Sequence, residues 1–167
     1  ALTESLGGLA LIAEDLGLVD DATLALRDEL GLPGMRVIQF GLGPDAEVEH
    51  QVEAHVPLSV VYTGTHDSPT VREWWEGLTP QAQGQVGLGE VAGEVVVAAI
   101  ELALSSRSFW AVIPAQDLLG LGEDARMNQP GTLGGNWVWR LPDEGVDSTL
   151  ARWVRERLSE TGRLSVR

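Results

Sequence analysis

Four short segments of this chain, Leu9 to Ala13, Met35 to Phe40, Ser59 to Thr65 and Phe109 to Pro114, run mainly apolar residues one after another instead of alternating them with polar ones. A strand with one wet face alternates, so continuous runs of this length point to strands covered on both faces. The connections between them are mostly long enough for crossovers, which predicts parallel strands and an α/β architecture. The runs also end in polar groups: Glu14-Asp15 after the first, His66-Asp67 after the third, Gln116-Asp117 after the fourth. In barrels of this type the active site lies at the carboxyl ends of the strands, so Glu14 and Asp67 are expected to face one cleft.

Helix signals fill the gaps. Asp20-Asp21 offer N-caps for a helix through about Leu30, with Gly31 just past its end. Ser68-Pro69 reads as an N-cap and first-turn proline for a helix carrying Trp74 and Trp75, and Thr79-Pro80 repeats that signal. Glu90 to Leu104 predicts a long helix with Val91, Val95, Ala98, Ala99 and Leu102 on one side. A last amphipathic helix is expected from about Ser148 to Leu158, after a glycine-rich, irregular stretch from Gly120 to Gly135. No internal repeat or linker divides the 167 residues, which are read as a single domain or part of one.

The net charge of −14 repels phosphate backbones and anionic lipid, which argues against nucleic acid and membranes as partners and leaves a neutral ligand such as a sugar compatible. With no cysteine there is no disulfide framework or thiolate chemistry, which fits a reducing compartment. His50 and His55 with Glu49 and Glu53 lack the spacing of a helical zinc motif, so no metal is expected there.

Paired carboxylates are the working groups of retaining glycoside chemistry, one protonating the leaving oxygen and the other attacking the anomeric carbon. On the residues alone, Glu14 and Asp15 read as a solvated or capping strand end sooner than as catalytic groups, His66 reads as a structural histidine sooner than as a ligand contact, and Asp67 could cap the helix that follows. Asn128 reads as either a loop-bracing amide or a sugar contact. Of the tryptophans, most are expected to pack, and Trp137 is the best placed to meet a sugar because it follows the glycine-rich stretch.

Longer segments narrow these choices. Ile12-Ala13-Glu14-Asp15-Leu16-Gly17, Leu32 to Phe40, Val61-Tyr62-Thr63-Gly64-Thr65-His66-Asp67, Pro114 to Gly122, Arg126-Met127-Asn128-Gln129-Pro130-Gly131 and Gly135-Asn136-Trp137-Val138-Trp139-Arg140 resemble, in order, the 4-α-glucanotransferases or amylomaltases of glycoside hydrolase family 77. That family is a branch of the α-amylase clan with a (β/α)8 barrel, and it moves α-1,4-glucan segments between malto-oligosaccharides through a covalent glycosyl-enzyme. The resemblance implies that Glu14 is the general acid/base, that Asp67 stabilises the transition state through sugar hydroxyls, and that His66 hydrogen-bonds the sugar beside the scissile bond. Asn128 falls in the Arg-Met-Asn segment and is carried as a candidate sugar contact.

The family's nucleophile, an aspartate in an Arg-x-Asp-His context on the fourth strand, has no match in the chain. The resemblance therefore implies the C-terminal half of a (β/α)8 TIM barrel: about four parallel strands, five to eight, with surrounding helices, against roughly 250 residues for a complete barrel. The whole chain, residues 1–167, is read as one partial catalytic domain whose partner is the missing N-terminal half of the same barrel. Alone, it is expected to be inactive. The implied parent is cytoplasmic and needs no cofactor. A glycoside hydrolase of the same clan and a non-catalytic glucan-binding module are the alternatives.

Overall fold

The computed structural model describes residues 11–143 and 145–164. Its centre is a parallel sheet of strands β1 (Gly34–Val37), β2 (Ser59–Tyr62) and β3 (Trp110–Val112), in the order β1-β2-β3. Gly34 pairs with Ser59 and Val37 with Tyr62, while Val60 pairs with Trp110 and Tyr62 with Val112, so all three strands deliver their carboxyl ends to one edge.

The helices are α1 (Asp21–Glu29), α2 (Val71–Glu76), α3 (Pro80–Val86), α4 (Ala92–Ser105), α5 (Ala115–Leu118) and α6 (Ser148–Glu160). Asp20 caps α1 by accepting the Thr23 N–H at 2.8 Å, and Thr79 caps α3 with Pro80 at its first position, as the sequence predicts. The core joins Ile38 and Val61 to Val71 and Trp75 of α2, Val86 of α3, and Val95, Val96, Ala99, Ile100, Ala103 and Leu104 of α4. The buried stripe of α4 is thus rotated from the expected one: Val91 is its exposed N-cap and Val96, Ile100 and Ala103 take the inner positions.

Three local expectations are corrected. The first run forms no strand over Leu11–Ala13; a single bond from the Ala13 N–H to the Pro33 carbonyl (2.9 Å) ties it beside β1, and the Leu11 and Ile12 side chains are exposed. Leu9 and Ala10 lie outside the described residues, so the described sheet has three strands rather than about four. The second run stops being a strand at Val37 and turns through a 3-10 segment, Ile38–Gly41. The turn is held where the Glu47 N–H reaches the Phe40 carbonyl (2.8 Å) and the Val37 N–H leaves the ladder for His50 Nδ1 (3.1 Å). Gly41 permits it, because a Cβ there would strike the His50 carbonyl.

The third correction concerns α2. Thr70, not Ser68, is its N-cap, in a capping box where Thr70 Oγ1 accepts the Glu73 N–H (3.1 Å) and Glu73 Oε2 accepts the Thr70 N–H (3.3 Å). Ser68 is occupied elsewhere, its hydroxyl oxygen accepting the Thr65 N–H at 3.1 Å. Pro69 accordingly precedes the cap, where its ring biases the residue before it toward extended backbone.

Candidate functional site

The carboxyl edge of the sheet opens into two adjoining clefts. One, about 520 Å³, is lined by Glu14, Phe40, Glu47, His66 and Asp67. The other, about 370 Å³, is lined by Tyr62, Gln116, Asp117, Arg126 and Met127, and both share Met35, Thr65, His66, Ser68 and Pro69. His66 therefore stands between them.

Glu14 is exposed at the mouth of the larger cleft. Its neighbour Asp15 turns inward and is almost fully covered: it accepts hydrogen bonds from the Met35 N–H (2.7 Å) and the Arg27 guanidinium, with Arg36 at 3.5 Å. Asp15 thus anchors the segment to β1 and α1 and leaves Glu14 to face the cleft. Gly34 makes room for this anchor, since a Cβ there would meet the Asp15 carboxylate.

His66 and Asp67 are half exposed, with His66 Nε2 at 3.3 Å from Asp67 Oδ1. Asn128 Nδ2 donates to the same Oδ1 at 2.6 Å, and Arg126 donates to the Asp67 carbonyl at 3.2 Å while pairing with Glu73 at 3.0 Å. Among the described residues the side-chain contacts of Asp67 fall on Oδ1, and the residue lines the larger cleft. On the far side of His66, the Trp137 ring packs at 5.1 Å between centroids, tilted by 37°. The structure therefore brings His66, Asp67 and Asn128 into direct contact and sets Glu14 across the same cleft.

Two residues outside the expected site set support it. Arg126 braces Asp67 and Asn128 together, its Nε donating to the Asn128 carbonyl at 3.0 Å; its place two residues before Asn128 was the available signal. Asp117 lies beneath the smaller cleft, 2% exposed, accepting the Thr63 hydroxyl (2.5 Å) and the Val71 N–H (2.9 Å). Burial pushes its carboxyl above the ordinary aspartate value, and those two hydrogen bonds pull the other way.

Glu47, Glu49 and His50 place one ligand atom each within 4.8 Å of one another. His50 Nδ1 is taken by the Val37 N–H, so the neutral ring carries its proton on Nε2, toward Glu47 Oε2 at 3.7 Å, and presents no lone pair for a cation. His55 bridges the His50 carbonyl (3.0 Å) and Ser106 Oγ (2.7 Å). Burial pushes both imidazoles below the ordinary histidine value, which keeps them neutral supports of the loop behind the cleft.

Fold and site define a parallel α/β protein with carboxylates and an imidazole gathered at the carboxyl ends of its strands. The chain belongs to glycoside hydrolase family 77, the 4-alpha-glucanotransferases, whose family model matches residues 1–146. It is 42% identical over 170 residues to the 4-alpha-glucanotransferase, chloroplastic/amyloplastic, of Solanum tuberosum, covering 98% of this chain and 30% of the relative. It is 40% identical over 174 residues to the Thermus thermophilus 4-alpha-glucanotransferase, covering 94% of this chain and 35% of the relative. The amylomaltase from Streptococcus agalactiae, solved in complex with acarbose, superposes with a TM-score of 0.85 at 27% identity, over 98% of this chain and 34% of that one. The chain thus spans about a third of the length of these proteins, and its sheet and helices form part of a (β/α)8 barrel.

Proposed function

We propose that this chain supplies the acid/base edge and the sugar-gripping edge of a 4-α-glucanotransferase acting on malto-oligosaccharides and other α-1,4-glucans. The observation that carries the reading is that Glu14, His66 and Asp67 line one cleft at the carboxyl ends of the strands. Glu14 protonates the departing glycosidic oxygen, then takes the proton from the 4-hydroxyl of the acceptor sugar once the donor is covalently attached. Asp67, with Oδ1 held by Asn128, accepts sugar hydroxyls through Oδ2 as the ring distorts toward the transition state. His66 donates to the same sugar. In this role Asn128 is a brace of Asp67 rather than a contact of its own.

The nucleophilic aspartate comes from the rest of the barrel, a part of the protein that is this chain's structural partner. A cytoplasmic setting is part of this proposal, while the Solanum tuberosum and Arabidopsis thaliana relatives are named chloroplastic/amyloplastic. No helix among the described residues is long and apolar enough to cross a membrane.

The test is product analysis with maltotriose in the full-length protein. A transferase makes glucose together with longer oligomers, whereas a hydrolase only shortens the substrate and a binding module leaves it intact. Glu14→Gln is expected to lower transfer by about 10²- to 10⁴-fold, the range for loss of a general acid/base, with maltotriose binding retained. Transfer at the unsubstituted rate would remove Glu14 from the mechanism.

A further inference from the structure

Trp137 is the one non-glycine residue among those described with a left-handed backbone, at φ 63°. A bulky aromatic there is strained, and such strain persists only where surrounding contacts over-determine it. Those contacts are present. The Trp137 N–H donates to the Met127 carbonyl at 2.7 Å, and Arg140 donates to the Trp137 carbonyl at 2.8 Å. The preceding Asn136 is locked by the Gln129 N–H at 2.9 Å and by Thr132 Oγ1 at 2.9 Å. Yet the indole is not buried by this effort: it stays 54% exposed, and the ring it meets is His66. A strained residue whose ring covers no core but lies on a half-exposed imidazole at the cleft has no packing explanation.

We propose that Trp137 is a positioning residue for His66, its left-handed backbone setting the indole against the imidazole so that Nε2 stays aimed between Asp67 and the sugar. The 126–137 segment then grips the His66-Asp67 pair from two sides, Asn128 on the carboxylate and Trp137 on the imidazole. This inference rests on the transferase reading for its catalytic consequence and on geometry alone for the positioning.

In the full-length protein, Trp137→Gly, Trp137→Ala and Trp137→Phe are compared by maltotriose disproportionation, thermal midpoint and the imidazole proton resonances of His66 in protein carrying isotope-labelled histidine, assigned through His66→Gln. Glycine fits the left-handed backbone, so W137G should hold or raise the midpoint while kcat/KM falls roughly tenfold, mainly in kcat, and W137F should recover to within about threefold. The His66 resonances should leave the indole ring current in W137G and W137A and keep part of it in W137F. An unchanged kcat/KM in W137G, or activity that only follows a falling midpoint across all three variants, overturns the proposal. If the unsubstituted protein does not disproportionate maltotriose, the transferase reading fails by itself; the His66 resonances then decide the positioning, and their failure to move in W137G refutes it.

Discussion

Asp117 shows what a single buried carboxylate does from the floor of a site. It ties Thr63 at the end of β2 to Val71 at the start of α2, the two segments that frame His66-Asp67. Asp117→Asn preserves an acceptor for the Val71 N–H and a donor for Thr63, so its unfolding free energy from urea titration should lie within about 1 kcal/mol of the unsubstituted protein at neutral pH. Asp117→Ala strands both partners and should cost about 2–3 kcal/mol. The pH trend has a definite sign. Because the native carboxyl titrates above the ordinary value of 3.8, the folded chain binds the proton first. This residue therefore contributes stability as pH falls through its raised native value and loses it as pH rises again. Comparing urea midpoints of the unsubstituted protein and Asp117→Asn across the acid range should show that slope removed.

Among the elements, α2 is the one the sequence placed by the wrong residue, and it carries a test. Thr70→Ala deletes one half of the capping box, and a loss of about 1 kcal/mol in unfolding free energy is expected, with Ser68→Ala leaving the helix cap intact. The signal is legible as Thr70-Val71-Arg72-Glu73, a threonine followed three positions later by glutamate, but Ser68-Pro69 offers a competing start two residues earlier. The cap at Thr79 was readable because Pro80 follows it directly, and at Asp20-Asp21 either carboxylate gives the same helix start to within one residue. The parallel character of β1, β2 and β3 was readable from their continuous apolar composition; their ends were not, because His50 and Gly41 decide where β1 stops and both lie outside the run. At the site, Glu14, His66 and Asp67 stand out at the ends of apolar runs. The hold of Asn128 and Trp137 on them did not, since proximity between residues so far apart along the chain has no local pattern.

At the scale of the molecule, β3 is an edge strand among the described residues, its Trp110 and Val112 are 49% and 43% exposed, and Phe109 stacks on Trp110 at 4.5 Å. A parallel edge with apolar side chains and unpaired backbone groups favours association. The 167-residue chain by itself is expected to associate, and Trp110→Lys with Val112→Lys should shift it toward monomer in sedimentation velocity; an unshifted distribution would place the association elsewhere. Net charge of −14 opposes association at low salt, so raising the ionic strength should increase it. The clasp on Asp67 has a further consequence, for the order of folding. Arg126 and Asn128 reach Asp67 from 59 and 61 positions downstream, so a long loop must close before the carboxylate is held. In refolding of the full-length protein, helical signal should return before affinity for maltotriose does, and the interval between them is the time the distant segment takes to find its place.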